Sequence, residues 1–106
     1  MTYAEYIEPW IGVSEKDWNF IQNLVGDITE DDVTNLSPES NAEDLLKEVI
    51  LNRIDPHNEY IESISINGNA VEIYEYEEVE NLEKYRAAAG EFLEHIGRCP
   101  IFYEYQ

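Results

Sequence analysis

The sequence predicts an α+β domain: a small three-stranded, mainly antiparallel sheet with three to four helices packed on one face, in the order α-α-α-β-β-α-β. Three observations lead there. Up to Asp55, helix-start residues precede apolar residues at helical spacing. Around Asn67-Gly68-Asn69 the apolar period changes to two. From Val79 to Ile96 it returns to 3.6, ahead of a short apolar tail. At 106 residues the chain suits a single domain, able to bury roughly two thirds of its unfolded surface. Apolar residues at 43% and aromatics at 12% exceed what disordered chains carry, so the high charge does not imply disorder.

Each element has a local reason. Ser14 with Asp17 three residues later is a capping pattern, and Trp18, Ile21, Leu24 and Val25 follow at helical spacing until Gly26, which predicts a helix over about 15–25. Thr29 and Asp32 repeat the pattern with only Val33 and Leu36 to bury, enough for a turn or two. Three caps compete before the next helix: Ser37 with Pro38, Ser40 with Glu43, and Asn41 with Asp44. Ala42, Leu45, Leu46, Val49, Ile50 and Ile54 then form its stripe, and Asp55-Pro56 stops it. A tight hairpin at Asn67-Gly68 or Gly68-Asn69 puts Ile64, Ile66, Val71 and Ile73 on one face and Ser63, Ser65, Glu72, Tyr74 and Tyr76 on the other. Val79, Leu82, Tyr85, Arg86, Ala89, Phe92, Leu93 and Ile96 trace the last helical stripe, with Gly97 as its cap. After Pro100, "IFYEYQ" supplies the third strand.

The abnormal quantity is the net charge of −18. A small domain stays soluble with a net charge of magnitude about 2 to 8, and like charges at this density lower the stability of the compact state. Most of the excess sits in two stretches that contain no lysine or arginine. Residues 27–44 hold seven acids and residues 59–83 hold eight. Adaptation to high salt would spread acids over the whole surface, which this clustering opposes. Such a field repels nucleic acid and anionic lipid, so direct nucleic-acid binding and a membrane contact are both excluded as expectations, and it attracts basic protein surfaces.

"EIYEYEE" at residues 72–78 and "IFYEY" at 101–105 place tyrosine beside glutamate. On a strand Tyr74 and Tyr76 share the face of Glu72, while Glu75 and Glu77 lie on the core side beyond the hairpin's apolar end, at a sheet rim. Carboxylates two apart on a strand stand roughly 7 Å from each other, of the order of successive phosphates along a nucleic-acid strand. Acids in a helix's first turn also complement its positive end, and outward tyrosines suit strands in general. The expected partner-binding residues are Asp27, Glu30, Asp31 and Asp32 of the first run, with Glu72, Tyr74, Glu75, Tyr76, Glu77, Glu78, Glu80 and Glu83 of the second.

Catalytic chemistry finds few candidates. Glu91 and His95 are four apart on a helix but have no recognisable third ligand, and His57 falls in a turn. Cys99, beside Arg98, reads as a packing residue rather than a nucleophile. A calcium loop starting at Asp27 fails, because position six is Asp32 instead of glycine and position twelve is Pro38 instead of glutamate. No phosphate-binding glycine loop, serine elbow or paired-cysteine motif occurs. No enzyme activity, metal or cofactor is expected. With one cysteine and neither a basic leader nor a long apolar run, the expected compartment is the cytoplasm.

In size, charge and expected build the chain resembles the acidic nucleic-acid-mimic proteins of phages and mobile elements, a likeness that rests on no motif and assigns no residue. The expected function is a non-enzymatic inhibitor, monomeric or homodimeric, that sets carboxylates where phosphates would lie in the basic cleft of a nucleic-acid-binding protein, as an anti-defence protein does. An immunity protein or antitoxin neutralising one nuclease toxin is the alternative, and an acidic adaptor with incidental charge a further one.

Overall fold

Helix boundaries in this protein are written by side chains that cap their own backbone. The computed structural model describes residues 12–77 and 79–103. In order these form α1 (Glu15–Val25), α2 (Glu30–Val33), α3 (Ala42–Ile54), β1 (Ile61–Asn67), β2 (Ala70–Glu75), α4 (Leu82–His95) and β3 (Cys99–Tyr103), the expected order. Ser14 Oγ accepts the Asp17 amide at the start of α1, and Gly26 ends that helix with a positive φ of 88°. Of the three caps competing before α3, the chain uses Asn41 and Asp44: each side chain accepts the other's backbone N–H at 3.0 Å. Ser37 and Ser40 are spent on the preceding turn, where Ser40 Oγ accepts the Ser37 amide.

The chain divides into two compact units after Val49, inside α3. In the first, Val13, Trp18, Ile21, Ile28, Leu45, Leu46 and Val49 are buried. Gly12 passes so close to the loop before α3 that a Cβ would stand 2.5 and 2.6 Å from the carbonyl oxygens of Pro38 and Ser40, so only glycine fits there.

The second unit holds the sheet, in the order β1-β2-β3. β1 and β2 are antiparallel with Asn67 opposite Ala70, so the turn is Gly68-Asn69. Gly68 carries a φ of 62° and Asn69 is not left-handed, as a type II′ turn requires of its two central residues. Ile64 pairs with Ile73 and Ile66 with Val71, the predicted inward face, and Val71 and Ile73 are wholly buried. Side chains such as Ile73 each contribute roughly 1.5–3 kcal/mol by leaving water.

β2 and β3 pair in parallel, with Ile73 opposite Phe102 and Tyr74 opposite Tyr103, which makes the sheet mixed. Parallel neighbours need a crossover, and α4 supplies it. That helix ends in a Schellman motif at Gly97: the Arg98 amide donates to the Leu93 carbonyl and the Gly97 amide to that of Glu94. Its Tyr85 lies against the inward face, edge-on to Phe102. Among the described residues, no helix is long and apolar enough to cross a membrane.

Candidate functional site

Alternation along the strands creates two unlike faces. The outward one carries Ser63 and Ser65 from β1, Glu72 and Tyr74 from β2, and Ile101 and Tyr103 from β3, because Ser63 pairs with Tyr74, Ser65 with Glu72, Glu72 with Ile101 and Tyr74 with Tyr103. Tyr74, Ile101 and Tyr103 are 37%, 39% and 41% exposed, so this face presents a small apolar patch to water. The Tyr74 and Tyr103 rings stack with centroids 5.1 Å apart and planes 12° from parallel. The Tyr74 hydroxyl donates to Glu72 Oε2 at 3.1 Å. That hydrogen bond to a carboxylate, with partial desolvation and the negative charge of Glu72, holds the phenol above its ordinary pKa. Tyr76, next along the chain, is half-buried and donates to Asn58 Oδ1.

Glu75 is the principal correction to the sequence reading. Expected at a rim within reach of a partner, it is 1% exposed. Parity does place it on the core side, but α4 extends the core over it. Arg86 bonds both carboxylate oxygens, Nε to Oε2 at 2.9 Å and its terminal nitrogen to Oε1, and the Tyr85 hydroxyl donates to Oε2. Burial pushes the Glu75 carboxyl up; the hydrogen bonds from Arg86 and Tyr85 and the charge of Arg86 outweigh it and hold the pKa below the usual range. Tyr85 is pushed strongly upward, by burial first and by Glu75 second. Its ring is sandwiched against Tyr60 at 4.5 Å, and the Arg86 guanidinium lies over Phe102 at 5.5 Å.

Asp32 is likewise removed from the expected surface. It is fully buried, its carboxylate accepting the Thr29 amide at 2.9 Å, so the predicted capping contact itself takes this acid out of water. Asp27, Glu30 and Asp31 are exposed in the first unit; Glu77, Glu80 and Glu83 are exposed and Glu72 half-exposed in the second. Glu78 lies outside the described residues. The carboxylate string from Glu72 to Glu83 is therefore interrupted at Glu75.

Sequence reasoning passed over Asp55, read only as part of a helix stop. Buried at the end of α3, it accepts the backbone amides of Glu59, Tyr60 and Ile61 at 2.9, 3.1 and 2.9 Å, which fixes the entry into β1. Tyr103 and Ile101 were also missing from the predicted set. The alternation in "IFYEY" carried the signal, but the strand's pairing did not follow from it.

His57, after α3, and His95, the last residue of α4, are exposed, and Cys99 is exposed at the start of β3 instead of packing in the core. Among the described residues no three His, Cys, Asp or Glu side chains gather to hold a metal. An open groove at the start of α4 includes Val79, Asn81, Leu82, Glu83 and Lys84 in its lining. No family model, no curated protein and no solved structure matches this chain.

Proposed function

We propose that this protein is a non-enzymatic inhibitor that occupies the basic cleft of a nucleic-acid-binding protein, with carboxylates standing in for phosphates. The observation that carries the reading is the charge: −18 in 106 residues, most of it in two base-free stretches whose acids, Asp32 and Glu75 apart, are largely left at the surface. Exposed like charges lower the stability of a fold, and a cationic receptor offsets that cost on binding. The same field accelerates encounter with a basic target, while exposed aromatic surface slows release.

The stacked tyrosines favour one refinement. A generic phosphate mimic needs charge alone, whereas an inhibitor dedicated to one nuclease, of the immunity-protein kind, needs an aromatic anchor where binding energy concentrates. Tyr74, Tyr103 and Ile101 fit that second role.

The test has two steps. The protein is used to capture binding partners at low and at ~0.15 M salt, and each captured protein is then loaded with a labelled oligonucleotide. The reading expects this chain to displace the oligonucleotide, and expects the variant with Glu72, Glu77, Glu80 and Glu83 all changed to Gln to displace it at least about tenfold less well. Captured partners that hold no nucleic acid, or full displacement by the variant, would count decisively against it.

A further inference from the structure

A carboxylate beside an exposed aromatic pair offers a chemistry that a scatter of carboxylates lacks, because it can tell one kind of cation from another. Carboxylates in water attract lysine and arginine about equally, as point charges. A planar guanidinium, less tightly hydrated than an ammonium, also stacks on an aromatic ring and bonds a carboxylate with two parallel N–H groups.

Three features of the face combine to this end. Tyr103 stands on β3, an edge strand of the sheet as described, with one ring face on Tyr74 and no further strand to cover the other among the described residues. Glu72 is fixed through Oε2 by the Tyr74 hydroxyl, which keeps its second oxygen for an incoming cation. Ile101, opposite Glu72 in the register, lines the same patch with apolar atoms, and exclusion of water there strengthens both kinds of contact. The molecule already pairs a guanidinium with an aromatic ring and a carboxylate on its other side, where Arg86 lies over Phe102 and bonds Glu75.

We propose that the Glu72–Tyr74–Ile101–Tyr103 face docks an arginine-bearing basic segment of the partner protein, with guanidinium groups stacked on the tyrosine pair and bonded to Glu72. The proposal rests on the inhibitor reading and specifies its partner. Charge selects this occupant over a second copy of the chain, since two copies would bring together two bodies of −18 each.

Short oligoarginine and oligolysine peptides of equal length and charge separate the possibilities, titrated by fluorescence anisotropy at ~0.15 M salt. The expected result is about tenfold tighter binding of oligoarginine. That ratio should fall to about one in Tyr103→Leu, which keeps the apolar bulk and removes the ring, and in Tyr74→Leu, with circular dichroism confirming that both variants fold. Equal binding of the two peptides by the unaltered chain overturns arginine selectivity and leaves the inhibitor reading standing. Binding of neither peptide overturns both. Self-association in analytical ultracentrifugation that Tyr103→Leu abolishes would assign the face to a second copy and overturn the proposal.

Discussion

Arg86 grips both carboxylate oxygens of Glu75 from α4, on the inward side of β2, with Tyr85 bonded to the same carboxylate. Once one partner of such a pair is removed, the other is left as a buried charge without compensation. That penalty is larger than the net worth of the pair.

Arg86→Ala should therefore destabilise the protein by about 2 to 3 kcal/mol, at or just below the bottom of the range of about 3 to 5 for fully buried pairs, because the Arg86 side chain keeps 30% of its exposure. The double replacement Glu75→Leu with Arg86→Met should cost less than Arg86→Ala alone. Urea unfolding of the three chains checks the order. A double variant weaker than the single one would mean that the pair itself, and not relief of an orphaned charge, dominates.

The Glu75 carboxyl has a folded pKa below its ordinary value, so it adds stability above the unfolded value of about 4.3, and this contribution is lost as pH falls through the folded value. Tyr85 runs the other way. Its folded pKa is raised, so its contribution is complete below the unfolded value of about 10 and disappears as pH climbs toward the folded one. Unfolding free energy followed from pH 7 to 3 should converge for the parent chain and Glu75→Gln at the acid end, since titration of the remaining carboxylates is common to both. Parallel curves would show that the Glu75 pKa does not change on folding.

Asp55 holds three backbone amides with one carboxylate. Asp55→Ala should cost about 3 kcal/mol and Asp55→Asn less, since the amide keeps one accepting oxygen. Hydrogen exchange gives the sharper readout: the Ile61 amide should lose protection in both variants, while Val71 in the central strand should not lose it beyond the global change.

The self-repulsion of −18 charges predicts that thermal stability rises with sodium chloride between about 0.05 and 0.5 M, where the screening length falls from roughly 14 to 4 Å. The Glu72, Glu77, Glu80 and Glu83 to Gln variant should start higher and rise less. Thermal unfolding at a series of salt concentrations checks both slopes.

Element order and the hairpin were legible because they depend on neighbours in sequence: the caps at Ser14 and Asn41, the change of period at Ile61, and the glycine at position 68. Parity alone placed Ile64, Ile66, Val71 and Ile73 inside. The direction of β3 was not legible, since whether a strand after α4 returns parallel or antiparallel depends on where the helix delivers it. Half of the candidate face, Tyr103 and Ile101, went unassigned with it. The fate of Glu75 was partly readable. Arg86 fell on a buried helical stripe, a cation there demands an anion, and Glu75 was an acid on the core side of β2. That inference requires knowing that α4 covers this end of the sheet, which is tertiary information.

The alternation of Glu72, Ile73, Tyr74 and Glu75 along β2 also governs what the strand can tolerate. One residue inserted before Ile73 would reverse every position beyond it, bringing Tyr74 under α4 to face Arg86 and expelling Glu75 into solvent. The tether and the binding face would then fail together, although no side chain of either had been altered. Strand length here is inherited information as strict as residue identity, and frame-preserving insertions in this hairpin should be tolerated at its tip and nowhere else.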